Sequence, residues 1–513
     1  MTLPKTETDY LIVGAGPAGL QLAYLLEQQQ RSYVVLDQGN APGAFFGTFP
    51  RHRTMISINK RHTGTSDPEF NLRMDWNSLL SDDRDLLFTK YSERYFPPAD
   101  DMVRYLADFA SVCGLNIEFG RRVVDIAKEA SGFTATDEHG DTYTAARVII
   151  ATGVSLPNTP DIPGIELADS YASMSTDPAE YIDKRVLIVG KGNSAFETAD
   201  NLMESASVVH IAGPNPIKLA WHTHFVGHLR AVNNNFLDTY QLKSQNAILD
   251  AKVLGIAEQD DRYDVEFAFS RGSVHIQYDR VIICTGFRFD SSPFHDSCRP
   301  QLTIDDRFPL LTPAYESVDV EGLYFAGTLT QSLDFKKGTS GFIHGFRYGA
   351  RALFRILESR YHGTAWPYRE VSLSPAGLTA AILARVNRSS ALWQQFGVLA
   401  DVLTVPVAGM ARYYEEIPIG YLDSWGVGNS DDTLVVTLEY GPDAGAPFGG
   451  TVVLADAGPI SSYLHPVIRR YRSGEIVAEH HIASDLENDW SRSGYADRLR
   501  KFLADTAVDR VTA

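Results

Sequence analysis

An apolar run that breaks on three glycines constrains this chain more than any other feature. Residues 10–19 read YLIVGAGPAG. Tyr10, Leu11, Ile12 and Val13 suit a strand buried on both faces. Gly14, Gly16 and Gly19 then open a helical pattern carried by Leu20, Leu22, Ala23, Leu25 and Leu26. The first glycine permits the turn, the second lets a pyrophosphate approach the backbone, and the third lets helix and strand pack closely. The helix N-terminus aims unpaired N–H groups and partial positive charge at the phosphates. A second apolar run, 33–36, ends on Asp37, about 20 residues further on, where an acid meets a ribose hydroxyl. These residues predict a dinucleotide site.

The same parts return. Arg185 to Gly190 reads RVLIVG, and Lys191, Gly192, Asn193, Ser194 and Ala195 complete a GxGxxA loop. Each module is closed by an apolar strand ending in Thr-Gly: Ala151, Thr152 and Gly153 in the first, Thr285 and Gly286 in the second. A third such strand ends at Gly327 and Thr328, followed by the glycine-rich start of a helix around Phe342 and His344. With 513 residues, two to four domains are expected. The fold class predicted is α/β. Two Rossmann-like domains are expected, one inserted in the other, with a C-terminal α+β appendage. The first module spans 1–160 and 300–362, the second 161–299, and the appendage 363–513.

Between these motifs, 41–100 is irregular and rich in Pro, Arg and aromatics, which marks functional loops rather than disorder. Helical spacing covers 100–113, and strand runs lie near Ile117, Val123 and Phe133. The run 208–211 is read as the second module's second strand, with His210 at its end. The appendage is read as an apolar helix near 378–402, strands at 433–440 and 450–454, and a polar helix near 495–503.

The formal charge of −18 disfavours nucleic acid or an anionic membrane as partner. Three cysteines without a CxxC pair disfavour a dithiol redox centre. No apolar signal core opens the chain and no apolar run approaches membrane-spanning length, so a cytoplasmic location is expected.

Two dinucleotide loops, the second inserted within the first domain, resemble the flavoprotein monooxygenases of the flavin-containing and N-hydroxylating type. A closer resemblance is to the eukaryotic FAD-dependent oxidoreductase domain-containing proteins of the endoplasmic reticulum. It rests on DWNSLL (75–80), GNSAFETA (192–199), LDTYQLKS (237–244), GFIHGFRY (341–348) and LHPVI (464–468). The FxGxxxHxxx signature of typical flavin-containing monooxygenases is missing; Tyr171, Ala172, Ser173 and Met174 stand there.

The resemblance implies FAD on the first module, held by Gly14, Gly16, Pro17, Ala18, Gly19, Asp37, Gln38, Phe46, Gly47, Val124, Ala151, Thr152, Gly153, Gly327, Thr328 and Phe342. It implies a nicotinamide cofactor on the second, held by Gly190, Gly192, Asn193, Ser194, Ala195, Lys218, Thr285 and Gly286. It also implies oxygenation of a small molecule by O2 through a C4a-(hydro)peroxyflavin, with N-hydroxylation of an amine or amino acid as one form. A flavin oxidase or reductase, or a flavin-bound adaptor, are the alternatives.

Asn59, Lys60, Asp75 and Asn77 are the candidate catalytic groups around the flavin, and His344 joins them. An Asn donates to a developing oxyanion without changing its charge. Equally, Asx side chains hold turns. Trp221, His222 and His224 are candidates for the nicotinamide cleft, and no metal is expected. An acid at the end of the second module's second strand would favour NADH. Its absence, with Lys218 in range, favours NADPH, NADH remaining possible. The possible partners are the substrate, O2 and a second copy of the chain.

Overall fold

In the computed structural model the described residues are 6–241, 245–427, 432–441 and 463–508. Strand Thr6–Val13 lies inside a sheet whose order runs Ile117–Phe119, Tyr33–Asp37, Thr6–Val13, Thr142–Ile150, Gly132–Asp137, Val123–Glu129. Tyr10, Leu11 and Ile12 are at most 1% exposed, as a strand covered on both faces requires. Strand Thr142–Ile150 is shared: its first half pairs antiparallel with Gly132–Asp137, its last residues parallel with Leu323–Phe325. The chain therefore returns to its first sheet after a long excursion.

That excursion is a second parallel sheet, in the order Ala247–Asp250, Val208–Gly213, Arg185–Val189, Arg280–Ile283, Asp169–Ser170. A three-stranded antiparallel sheet over 252–278 extends it. The two crossings between modules, Leu156–Pro157 and Phe287–Arg288, pair antiparallel with each other. The α/β architecture with one dinucleotide module inserted in the other is the expected one. The return is earlier than 300, because Phe289, Phe294 and Cys298 already pack with Leu11, Val148 and Phe325.

Helix Pro17–Gln28 covers the first sheet through Leu20, Leu22, Ala23 and Leu26, all buried. Each fully buried leucine contributes about 1.5–3 kcal/mol relative to exposure. Helix Ile343–His362 is anchored beside it: Tyr10 Oη lies 2.8 Å from His362 Nε2, and Arg31 bonds Glu358 at 2.6 Å.

The C-terminal unit is a six-stranded antiparallel sheet, ordered Tyr368–Ser372, Met410–Pro418, Leu399–Thr404, Thr433–Glu439, His465–Arg472, Glu475–His481. Helices Pro375–Arg388 and Ser493–Val508 pack against it through Leu378, Ile382, Leu499 and Leu503. The single helix expected near 378–402 is broken. Ser389 ends the first helix and caps Ser390–Gln394, accepting from Leu392 N–H, and Leu399–Thr404 is a strand. Apolar content alone cannot separate a buried strand from a helix. The strand expected at 450–454 lies outside the described residues.

Candidate active site

Both modules build their glycine loops in one way. Gly14 has φ +107°, and a Cβ there would stand 2.8 Å from the backbone of Ala151. Gly190 has φ +126°, and its Cβ would collide with the carbonyl of Cys284. Each first glycine thus lies against the end of the strand that closes in Thr-Gly, so the repeated parts of the sequence are spatial partners. Gly19 has no room for a Cβ because the Gly14 carbonyl oxygen fills it. The second glycines differ. A Cβ at Gly16 would have only Ala151 O, at 4.0 Å, and one at Gly192 nothing within 4 Å. Open backbone at a helix N-terminus is where a phosphate approaches. Asp37 sits at the end of its strand and accepts from Ala15 N–H at 2.6 Å and Gly39 N–H at 2.7 Å. Each carboxylate oxygen keeps a lone pair for a further donor.

The loops open on one cavity of about 410 Å³. The first module contributes Gly16, Pro17, Ala18, Phe46, Ala151, Thr152, Gly153, Gly327, Thr328, Phe342 and His344. The second contributes Asn193 and Ser194. Gly14, Gly19, Gly190 and Ala195 stand behind these as the packing of the loops, and Gly192 is exposed at the start of its helix outside the wall. Thr285 and Gly286 line an adjoining cavity of about 190 Å³, which shares Tyr171, Ser194 and Phe287 with the first. No described residue after Phe346 lines the main cavity.

Several expectations are corrected. Asn59, 2% exposed, donates to the carbonyls of Ser92 at 2.8 Å and Arg94 at 3.2 Å. Asp75 accepts from Asn77 N–H at 3.0 Å and Ser78 N–H at 2.9 Å. Asn77 donates to Ile58 O at 3.0 Å and accepts from Ser57 Oγ at 2.5 Å. These three hold the loop together and do not line the cavity. Lys60 is exposed outside it, as are Gln38, Gly47 and Lys218. Val124 is exposed because strand alternation turns Val123 inward. Trp221 and His222 are exposed outside the cavity, and His224 stacks on Tyr440. His210 is not at its strand's end: the strand runs to Gly213, and His210 Nδ1 lies 2.7 Å from Tyr278 Oη. At that end lies Lys191, whose Nζ bonds Asn215 O at 3.0 Å and pairs with Asp250.

The cavity also brings together side chains that sequence reasoning missed. Trp76 sits between two of the loop-holding residues, its indole N–H donating to Arg73 O at 3.1 Å. His344 stacks on Trp76 at 4.2 Å and on Phe342 at 5.8 Å. It is 1% exposed, and neither ring nitrogen has a partner. Burial and the nearby Arg347 and Arg230 hold its imidazole neutral, well below the ordinary histidine range. Arg230 lies over the Trp76 ring at 5.1 Å. Glu197, on the second module's first helix, bonds the Tyr171 hydroxyl. Burial pushes its carboxyl up to about 7, against the lowering effect of that hydrogen bond. The signal for Glu197 was an acid on the inner face of a glycine-loop helix. Trp76 stands in an irregular segment and gave none, while Arg230 was legible only as a cation farther along the chain from Lys218.

Residues 11–327 match the pyridine nucleotide-disulphide oxidoreductase family. The chain is 39% identical to FAD-dependent oxidoreductase domain-containing protein 2 of Mus musculus, over 97% of this chain and 84% of that protein. Among solved structures it is similar to the bacillithiol disulfide reductase of Staphylococcus aureus, at TM-score 0.55 and 19% identity, over 69% of this chain and all but 1% of that one (99%). A flavin-containing monooxygenase from Stenotrophomonas maltophilia is similar at TM-score 0.54 and 19% identity, over 69% and 99% of the two chains. These two likenesses bear on the fold.

Proposed function

Because this chain belongs to the pyridine nucleotide-disulphide oxidoreductase family and both its loops open on one cavity, we propose that it is an NAD(P)H-dependent flavin monooxygenase of a small molecule. It is a flavin-dependent oxidoreductase by family, with FAD and a nicotinamide cofactor implied. The observation that carries the finer reading is the shared cavity, whose wall is mainly apolar, includes Arg230, Glu197 and His344, and contains no cysteine. Disulfide exchange requires a thiolate at the site. Cys284 lines the adjoining cavity, but burial raises its thiol and that of Cys298, and pushes the Cys113 thiol up to about 11. Oxygenation instead requires a closed apolar chamber that excludes water.

The residues present fit FAD. The Gly16 backbone is open to a pyrophosphate, the Asp37 carboxylate can accept from a ribose, and the walls at Ala151–Gly153 and Phe342 are flat and apolar. FAD, when bound, supplies hydride acceptance and reactivity toward O2. The protein supplies the rest. Gly192 and the helix start at Asn193 bind the second dinucleotide's phosphates beside the same cavity. Phe46, Phe49 and Phe287 exclude water. Glu197 holds a proton near neutral pH, at Oε1 or Oε2, next to the Tyr171 hydroxyl. It is thereby poised to take up or release that proton during turnover.

For the nicotinamide we favour NADPH. Gly213, Pro214 and Asn215 end the second strand without an acid, Lys191 lies across it, and Asp250 is held by that lysine. Among the described residues no helix is long and apolar enough to cross a membrane.

The test is stoichiometric. FAD-loaded protein is reduced anaerobically with NADPH, then given O2 with a panel of small amines and acids. A monooxygenase yields close to one oxygenated product per NADPH for some member. Full release of H2O2 with every member would make it an oxidase.

A further inference from the structure

We propose that Arg230, Trp76 and His344 form a recognition wall for a carboxylate, so that the substrate is an organic acid with a flat or aromatic body. This rests on the reading of the cavity as the substrate chamber. Three independent observations converge. The first is the Arg230 guanidinium. It lines the cavity, stacks on Trp76, and makes no ion pair or hydrogen bond with any described residue. Burial lowers its pKa, opposed only by the Tyr95 hydroxyl, and the residue is partly buried. The second is His344, whose two buried nitrogens have no partner. A buried unsatisfied N–H is unfavourable unless something that binds satisfies it. The third is the aromatic lining of the same cavity by Phe45, Phe46, Phe49 and Phe287, which suits an apolar or aromatic body.

Arg230 is positioned deliberately. Its backbone N–H donates to Asn193 Oδ1 at 3.0 Å, and Asn193 Nδ2 donates to His228 O at 2.9 Å. The nicotinamide loop therefore fixes the segment that carries the guanidinium. Among the described residues, Glu197 is the one carboxyl in the wall, and it is engaged by Tyr171. A planar guanidinium is matched to a carboxylate by two parallel N–H···O bonds. An oxyanion at this point has two conceivable sources, the substrate's carboxylate or a phosphate of the dinucleotide. We commit to the carboxylate. The phosphates have their own helix start at Asn193, whereas the guanidinium rests on a ring of the other module.

The experiment uses full-length, FAD-loaded, oxidised protein, titrated by calorimetry and by perturbation of flavin absorbance. The probes are 3-phenylpropanoate, its amide 3-phenylpropanamide, and NADP+. The acid is expected to bind at least about tenfold more tightly than the amide, the worth of one charge-assisted contact. R230Q should lose that preference and leave NADP+ affinity within about twofold, by the same arithmetic. H344F, which keeps the stack and removes the N–H, should weaken the acid alone, about severalfold. Equal binding of acid and amide by the wild type overturns the inference, and that comparison needs no variant to fold. So does an R230Q protein that loses NADP+ about tenfold and keeps the acid, which would place the guanidinium on a phosphate. None of these readouts depends on oxygenation, so the carboxylate site and the monooxygenase reading can fail separately.

Discussion

Gly14 and Gly190 hold equivalent places, each at positive φ with the backbone of a Thr-Gly strand end where a side chain would begin. Alanine at either position meets main chain rather than a flexible side chain, so the loop itself must move, and positive φ adds roughly 1–3 kcal/mol of strain. The two substitutions should separate the modules' roles. G14A is expected to be purified with little flavin, read as the ratio of 450 nm to 280 nm absorbance. G190A should keep its flavin and its reduction by dithionite, yet lose about tenfold or more in reduction rate by NADPH, as each loop N–H to a phosphate is a charge-assisted bond. A G190A protein reduced by NADPH at the wild-type rate would remove the second loop from nicotinamide binding.

Glu197 gives a pH signature. Its folded pKa, about 7, stands above its ordinary value of 4.5, with burial the largest cause. The folded state therefore holds the proton more tightly than the unfolded one between those values. Stability is fully present below pH 4.5 and is lost as pH rises to about 7. The full loss is about 3 kcal/mol. Urea midpoints at pH 5 and pH 8 should fall further in wild type than in E197Q. Parallel shifts in both would mean that the buried carboxyl is not what titrates.

The loop that carries Trp76 is held from above and below by arginines. Arg347, on helix Ile343–His362, donates to Leu72 O at 2.7 Å, Asp75 O at 3.0 Å and Ser78 O at 2.7 Å. Arg73, 1% exposed, donates to Val386 O at 2.7 Å and Ser389 O at 3.1 Å in the C-terminal unit. Irregular backbone buried this way needs donors from outside itself, because no ladder supplies them. R347M should cost about 3 kcal/mol or more, since three carbonyls lose a charged donor. Denaturant unfolding measures the loss, and limited proteolysis should show faster cutting within 60–80. Wild-type stability in R347M would mean that water replaces the guanidinium freely.

These same elements mark how far sequence reading reached. The glycine loops, the apolar strands around them and helix Ala99–Val112 are local in origin, so spacing and residue type exposed them. For Asn59, Asp75 and Asn77 the sequence leaves chemistry and loop scaffolding both open, and the fold decides for scaffolding. Whether an Asx side chain points at its own loop or into a cavity depends on the fold around it. Trp76, Arg230 and Glu197 meet only because two modules and an irregular loop fold onto one another, and no single window of residues contains that meeting.

The C-terminal unit looks from its sequence like an attachment, but its packing makes it part of the first module. Leu399, Val402, Ile417, Leu422 and Val435 belong to the same core as Tyr10, Leu20, Leu353 and Ile356. Across the junction runs a buried charge network. Arg385, 2% exposed, bonds Asp401 at 2.9 Å and Glu416 at 3.1 Å, and also pairs with Glu69 of the cavity loop's segment. Burial alone would raise the Glu416 carboxyl, yet Arg351, Arg355 and Arg385 hold it down to about 2. Removing this unit would strip counter-charges from Arg351 and Arg355 and uncover apolar faces of helix Ile343–His362. Arg351 and Arg355, no longer covered, lose Glu416 and return to water, while each large side chain uncovered forfeits about 1.5–3 kcal/mol. Together these reach the 5–15 kcal/mol by which a typical domain is stable. A chain ended after Gly363 keeps both glycine loops and every described residue of the cavity wall, so loop chemistry alone would leave it yellow and reducible. We expect instead that it fails to accumulate as soluble, flavin-bound protein. The deciding measurement is co-purified FAD together with the melting temperature, set against the full chain. A truncated protein that binds FAD fully and melts within a few degrees of the full chain would show that the shared core is dispensable, and that the C-terminal unit is an attachment after all.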